Sequence, residues 1–153
     1  MLEVVNLACT RGDRPLFREL SFALKPGELL HVRGENGSGK TTLLRALCGL
    51  SQPASGEIRW DGQSIREQAE TYRAQLCYIG HGNAIHGDLT PTENLQFEAC
   101  LGAENRIDAK PALESLGLGR VTSLPAKLLS QGQKRRVALA RLEVARVASE
   151  LVR

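Results

Sequence analysis

Apolar and polar residues come close to alternating from Leu2 to Leu7, the period of two that predicts a short strand. A second strand is predicted over Phe17 to Leu24, after the turn-rich Gly12-Asp13-Arg14-Pro15. Pro26-Gly27-Glu28 predicts a tight turn into a third strand, Leu29 to Arg33. Glu57-Ile58-Arg59-Trp60 leads into Asp61-Gly62, a dipeptide that accepts the backbone of a two-residue hairpin. Gln75 to Ile79 is a further apolar strand candidate. From Thr92 the period lengthens: Leu95 and Ala99 share one face of a helix that Thr90-Pro91 or Thr92 would start. Asp108 to Leu116 predicts a second short helix, closed by Gly117 and Gly119. A last helix starts near Ser130 and continues past Leu142, where Val144, Val147, Ala148 and Leu151 recur at helical spacing among Glu143, Arg146, Ser149, Glu150 and Arg153. The pattern is α/β, with a helical subdomain expected inside it. There is no internal repeat and no low-complexity stretch.

One segment carries chemistry directly. Gly34-Glu35-Asn36-Gly37-Ser38-Gly39-Lys40-Thr41 satisfies G-x-x-x-x-G-K-[ST], the phosphate loop. Glycines let the backbone fold around an anion with its amides pointing inward. Lys40 is expected at the β- and γ-phosphates and the Thr41 hydroxyl on Mg²⁺, with Thr42 completing the ATP-binding set. The helix from Lys40 to Cys48 adds its N-terminal dipole. The context fits: apolar Leu29-Leu30-His31-Val32 precedes the loop, and Leu43, Leu44 and Leu47 are predicted to form a buried helical face after it. Gly49 is the expected C-cap. A glycine-rich turn with a chance lysine is the plain alternative, and the strand-loop-helix context argues against it.

Ser130-Gln131-Gly132-Gln133 is S-x-x-Q, a capping-box pattern, and by itself means a well-started helix. Beside a phosphate loop it gains weight. Leu129-Ser130-Gln131-Gly132-Gln133 resembles the LSGGQ signature of ABC ATPases, and Lys134 to Arg141 resembles the helix that follows it. Pro53, Gly56, Glu57, Ile58 and Gly62 look like that family's hairpin. Leu89-Thr90, then Glu93-Asn94-Leu95, look like the start of its helical subdomain. The likeness covers Met1 to about Leu142. Within the family, GENGSGKTTLLRALCGL, SGEIRWDG and LSQGQKRRVALARL resemble the haem-exporter branch of cytochrome c maturation, with Gln131 in place of the first signature glycine.

The resemblance implies a P-loop NTPase core with an N-terminal antiparallel β subdomain and an inserted helical subdomain. Residues 1–90 would form the β subdomain and P-loop core, 91–127 the helical subdomain, and 128–153 the signature helix and its continuation. It also implies ATP and Mg²⁺, an integral membrane permease, a second ATPase subunit arranged head to tail, and a peripheral place on the cytoplasmic face of the inner membrane. In that arrangement the signature helix of one subunit points its N-terminus at the γ-phosphate held by the other. Arg11 holds the place of the family's adenine-stacking aromatic residue, and a guanidinium plane can also stack on a base. His81 falls where the family carries the glutamine that contacts Mg²⁺ and the attacking water; a solvent-exposed loop histidine is the equal alternative. His31 and His86 are expected to be structural or on the surface.

The family's acid-ended strand, its Asp-bearing loop and its switch histidine do not appear after the signature helix. The last aspartate is Asp108 and the last histidine His86. Glu143 and Glu150 lie on the continuing helix and receive no catalytic role. The chain is expected to be incomplete at the C-terminus relative to its family, with hydrolysis lost or weak and with apolar surface uncovered beside the phosphate-loop strand.

Composition adds bounds. The 153 residues suffice for one domain. A net charge of +3 argues for neither nucleic acid nor anionic lipid, and Lys134, Arg135 and Arg136 are expected on a solvated helix face. The four cysteines are scattered and expected to be reduced. No apolar run approaches the ~18 residues that span a bilayer, and the N-terminus has no expected secretion signal. Three other functions compete with a transporter ATPase subunit: a non-hydrolysing nucleotide-binding fragment, a soluble ABC ATPase of DNA repair or translation, and a phosphate-loop kinase. The soluble ATPases carry extra arms or tandem domains, and kinases lack an LSxGQ helix.

Overall fold

The computed structural model describes residues 1–80, 82–102 and 108–151, without the side chains of 98–102 and 145–151. It resolves into two compact units, residues 1–76 and 77–153.

The first unit is built on a four-stranded antiparallel sheet of order β2-β1-β3-β4, made of β1 (Leu2–Arg11), β2 (Arg14–Leu24), β3 (Ser55–Trp60) and β4 (Gln63–Ser64). β1 and β2 are longer than their alternation predicts, because pairing continues through Cys9↔Phe17, Thr10↔Pro15 and Arg11↔Arg14 up to the turn at Gly12-Asp13. Pro15 is tolerated in β2 because that strand is an edge. Asp61 and Gly62 take φ of 50° and 81° and join β3 to β4, as their sequence predicts. Leu2, Val4, Leu7 and Cys9 of β1 are buried with Ile58 of β3 and with Leu43, Ala46 and Leu47 of helix α1 (Lys40–Leu47). The burial parity of β1 slips between Val4 and Leu7, where Asn6 bulges with φ of 47°. Gly56 lies opposite that bulge at φ +84°, and a Cβ on it would stand 2.3 Å from the Asn6 carbonyl oxygen. Helix α2 (Ala69–Ala74) contributes buried Tyr72, whose hydroxyl donates to the Leu47 carbonyl at 2.6 Å. Burial pushes that phenol up to about 12.

Two predicted strands do not form. Leu29 to Arg33 and Gln75 to Ile79 carry no ladder among the described residues. A strand of this apolar kind exists by its neighbours on both sides. Without them Leu29 stands 92% exposed. The predicted buried face of α1 is also corrected: Leu43 and Leu47 are inside with Ala46, whereas Leu44 is 43% exposed. Leu43, Ala46 and Leu47 share the side that joins the sheet core, and Leu44 lies off it.

The second unit is helical. α3 (Pro91–Gly102), α4 (Lys110–Ser115) and α5 (Gln131–Leu151) pack around Leu95, Leu113, Leu118, Val137 and Ala140. α3 begins with a complete capping box. Glu93 N–H donates to Thr90 Oγ1 at 3.2 Å, and Thr90 N–H donates to Glu93 Oε2 at 2.8 Å. Thr90 therefore precedes the helix and Pro91 is its first residue. The expected partner of Leu95, Ala99, lies outside the described side chains. α4 ends as predicted at Gly117, with Gly117 N–H on Glu114 O and Leu118 N–H on Leu113 O, and Leu118 itself is fully buried. α5 runs unbroken to Leu151, as its periodicity predicts.

Candidate functional site

The loop before α1 has the backbone its glycines predict. Gly34, Gly37 and Gly39 take φ of 156°, 86° and 99°. A Cβ on Gly34 would meet Ser38 Oγ at 2.7 Å, so that hydroxyl would have to turn away. Gly39 is the left-handed residue immediately before the helix, and its carbonyl accepts from Leu43 N–H at 2.8 Å. Ser38 N–H turns back on Glu35 O at 3.2 Å. Lys40 is half-buried, and its ammonium donates to Gly34 O and Glu35 O, both at 2.7 Å. The segment is therefore a closed turn with its cation stored inside. Asn36 and Thr41 are exposed and Thr42 half-buried at the helix start. α1 ends in a Schellman motif, with Gly49 N–H on Ala46 O and Leu50 N–H on Arg45 O.

Arg11 is exposed at the last position of β1 and pairs across the hairpin with Arg14. β2 touches the loop: a Cβ on Gly39 would lie 3.0 Å from Leu16 Cβ and 3.2 Å from Phe17 Cδ1. His81 lies outside the described residues. His31 is exposed and accepts from Arg33 Nε at 3.3 Å. His86 is exposed, with its ring edge-on to Phe97 at 5.1 Å.

At the start of α5, Ser130 and Gln133 exchange hydrogen bonds. Gln133 N–H donates to Ser130 Oγ at 3.2 Å, and Ser130 N–H donates to Gln133 Oε1 at 2.8 Å. Leu129 is buried beneath this turn, while Gln131 and Gly132 are exposed. A Cβ on Gly132 would meet nothing within 4 Å. The first turn of α5 is thus capped from below and open above, which suits close approach of an anion to backbone amides.

The basic run after it is not simply solvated. Arg135 Nη1 donates to Gly80 O at 3.0 Å and to Asn83 Oδ1 at 3.2 Å. Arg136 Nη1 donates to Leu116 O at 3.2 Å, and Lys134 Nζ reaches Lys127 O at 3.5 Å. Arg135 and Arg136 thus supply donors to loop carbonyls at residue 80 and at the end of α4. Asn94 is legible in the sequence only as part of Glu93-Asn94-Leu95, and its structural role is not. It is 4% exposed, donates to the carbonyls of His86, Leu89 and Thr90, and accepts from His86 N–H. It holds the 86–90 turn shut over α3. Glu143 is engaged as well: both carboxylate oxygens accept from Ser115 Oγ, at 3.0 and 3.1 Å. Among the described residues no cluster of three or more His, Cys, Asp or Glu could hold a metal.

A glycine loop that opens a helix and a capped LSxGQ turn are the two nucleotide-facing parts of an ABC-type ATPase. A family model described as ABC transporter matches residues 17–148, and the chain belongs to that family of ATP-binding transporter subunits. It is 57% identical over 144 residues to the cytochrome c biogenesis ATP-binding export protein CcmA of Dechloromonas aromatica, covering 93% of this chain and 71% of that protein. It is 53% identical over 148 residues to the CcmA of Nitrosomonas europaea, covering 95% of this chain and 70% of that protein. Among solved structures, it is similar to an ATP-binding subunit of an ABC transporter at 28% identity and a TM-score of 0.80, covering 92% of this chain and 60% of that one. It is also similar to cbiO1 of Clostridium perfringens, part of the transporter complex cbiONQ, at 26% identity and a TM-score of 0.76, covering 95% of this chain and 61% of that one. No helix among the described residues is long and apolar enough to cross a membrane.

Proposed function

We propose that Gly34 to Thr42 bind ATP and that this chain serves as the ATP-binding subunit of the haem exporter used in c-type cytochrome biogenesis. The observation that carries the reading is the loop itself, in which three positive-φ glycines and an inward-folded Lys40 precede a free helix N-terminus. On nucleotide binding, Lys40 would exchange two neutral carbonyl acceptors for anionic phosphate oxygens, adding ion pairing to hydrogen bonds its ammonium already makes. The exposed Thr41 hydroxyl suits Mg²⁺. The ion would offset the charge of the phosphates it bridges to the loop. Arg11 would lie against the base, and His81 would stand where the family's water-positioning glutamine does.

The open turn Leu129 to Gln133 is the expected contact to a γ-phosphate held by a second, head-to-tail subunit. The helical subdomain, 91–127, is the expected surface for an integral membrane permease, and with it the chain would sit peripherally on the cytoplasmic face of the inner membrane. The names of the relatives, which describe export in cytochrome c biogenesis, support this assignment.

A second reading is favoured by one observation. The acid carried by the first part of α5, Glu143, lies on an exposed helix position beside Ser115 and has no assigned part in activating water. On that reading the 153-residue chain binds nucleotide without hydrolysing it. Equilibrium titration with ATP in the presence and absence of Mg²⁺, alongside phosphate release, decides both points. Saturable binding without turnover supports the second reading, turnover supports the first, and no binding by a folded sample removes both.

A further inference from the structure

A cavity of about 460 Å³ opens in the first unit, between the carboxyl end of α1, the β3–β4 hairpin and α2. That volume is in the range of small-molecule sites. Ala46, Ile58 and Ile65 give it a buried apolar floor. Its rim carries two exposed cations, Arg66 and Arg73. Arg66 forms no ion pair with a described carboxylate. Arg73 Nη2 donates to Gly49 O at 3.2 Å, a bond that uses one of its five donors. The carboxylate on the rim, Glu57, is held by Arg59 at 2.6 and 2.8 Å, so the charge left at the mouth is positive. Ser51 also lines the cavity. Its hydroxyl oxygen is buried and has no hydrogen-bond partner among the described residues, which is a cost to the folded state.

We propose that this cavity binds a small organic carboxylate, with its hydrocarbon body on Ala46, Ile58 and Ile65 and its anionic end between Ser51, Arg66 and Arg73. A guanidinium offers a planar fork that matches a carboxylate, and the Ser51 hydroxyl adds a donor from below. The carboxyl end of a helix ordinarily repels an anion. Here its carbonyls are occupied: Ala46 O accepts from Gly49 N–H, Leu47 O from the Tyr72 hydroxyl and Gly49 O from Arg73. The apolar floor excludes a bare inorganic ion as the best occupant, since such an ion would leave that surface unused. The site is at the opposite end of α1 from Lys40, so it does not rest on the reading of Gly34 to Thr42.

The test titrates the full chain with hydrocinnamate, with its neutral amide and with acetate, by calorimetry and by tryptophan fluorescence. The single tryptophan, Trp60, lies on β3 with its ring 5.7 Å from that of Tyr72 on α2, so it reports on this part of the unit. Hydrocinnamate should bind with a Kd of about 0.1–1 mM and change the Trp60 emission. The amide should bind at least about tenfold more weakly, and acetate weaker still. Arg66→Gln should lower hydrocinnamate affinity about fivefold or more, whereas Arg45→Gln, an equal charge change on an exposed face of α1, should stay within about twofold. Ser51→Ala should lower affinity about threefold with an unchanged or higher melting temperature, because the hydroxyl has no partner to lose. A role in packing alone would move the melting temperature and leave affinity untouched, and that result overturns the proposal. So does a folded sample that does not bind hydrocinnamate at 10 mM, roughly ten times the expected Kd. Equal binding of the amide overturns the anionic class. Displacement of hydrocinnamate by saturating ATP would put it on the phosphate loop and also overturns the proposal.

Discussion

Lys40 Nζ lies 2.7 Å from the carbonyl oxygen of Gly34, six residues earlier, and 2.7 Å from that of Glu35. The ammonium thereby closes the loop in which it sits. On the proposed reading, nucleotide and loop carbonyls compete for one cation. Lys40→Ala is expected to lower ATP affinity about tenfold to a hundredfold, the loss of a charge-assisted contact. Helix content should be unchanged, because α1 is held by Leu43, Ala46 and Leu47. Fluorescent-nucleotide titration alongside far-ultraviolet circular dichroism checks both halves.

Gly132 and Gly56 make a contrasting pair. Space around Gly132 is open, so Gly132→Ala should leave the melting temperature unchanged or slightly raised, since alanine is the better helix former. If the turn must touch a phosphate in a second subunit, the same substitution should abolish ATP-dependent association, which sedimentation velocity would detect.

Gly56→Ala should do the reverse. Its Cβ would overlap the backbone of Asn6 and Leu7, and its φ of +84° disfavours any side chain. The expected cost is about 3 kcal/mol or more, seen as a melting temperature lower by about 6–12 °C. A wild-type melt for this variant would mean that the bulge at Asn6 is not as close as described.

The helical unit should be acid-sensitive through two carboxylates. The N–H and hydroxyl of Thr90 hold Glu93 below its usual range, and the Lys127 ammonium does the same for Asp88. Both folded-state values are depressed, so their contribution is present above the unfolded-state values and is lost as pH falls through the folded ones. Stability should therefore decline from about pH 5 downward. Glu93→Gln keeps the capping geometry without the titration and should flatten part of that slope. Urea unfolding at a series of pH values measures it, and a gain in stability on acidification would contradict the assignment.

Leu29 is 92% exposed and Leu30 38% exposed, next to each other on a segment without ladder partners. Leu29→Lys should leave unfolding free energy within about 0.5 kcal/mol and raise the concentration at which the chain aggregates, read by light scattering.

The local elements were largely legible because their causes are local. The hairpin at Asp61-Gly62, the capping boxes at Thr90 and Ser130, the stop at Gly117 and the glycines of the phosphate loop each depend on residues a few positions apart. The strands at Leu29 and Gln75 were misjudged because an apolar run states a need for neighbours and not their presence. Leu44 was misjudged because helical spacing says which residues share a face and not how far the sheet extends beneath it. Arg135 carries no advance signal, and Asn94 only that of the stretch Glu93-Asn94-Leu95, since the loop groups they bond come within reach only once the loops are folded.

The amino-acid sequence by itself determined the left-handed glycines of the loop before α1, the capped starts of α3 and α5, the stop at Gly117 and the family, because backbone dihedrals and caps are set by near neighbours, whereas α2 was not legible in it. Tertiary structure alone decided that Lys40 rests on its own loop, that Gly39 borders β2, and that two arginines meet at the hairpin tip. Those facts depend on which distant groups pack together, and burial and repulsion act through space without regard to distance along the chain.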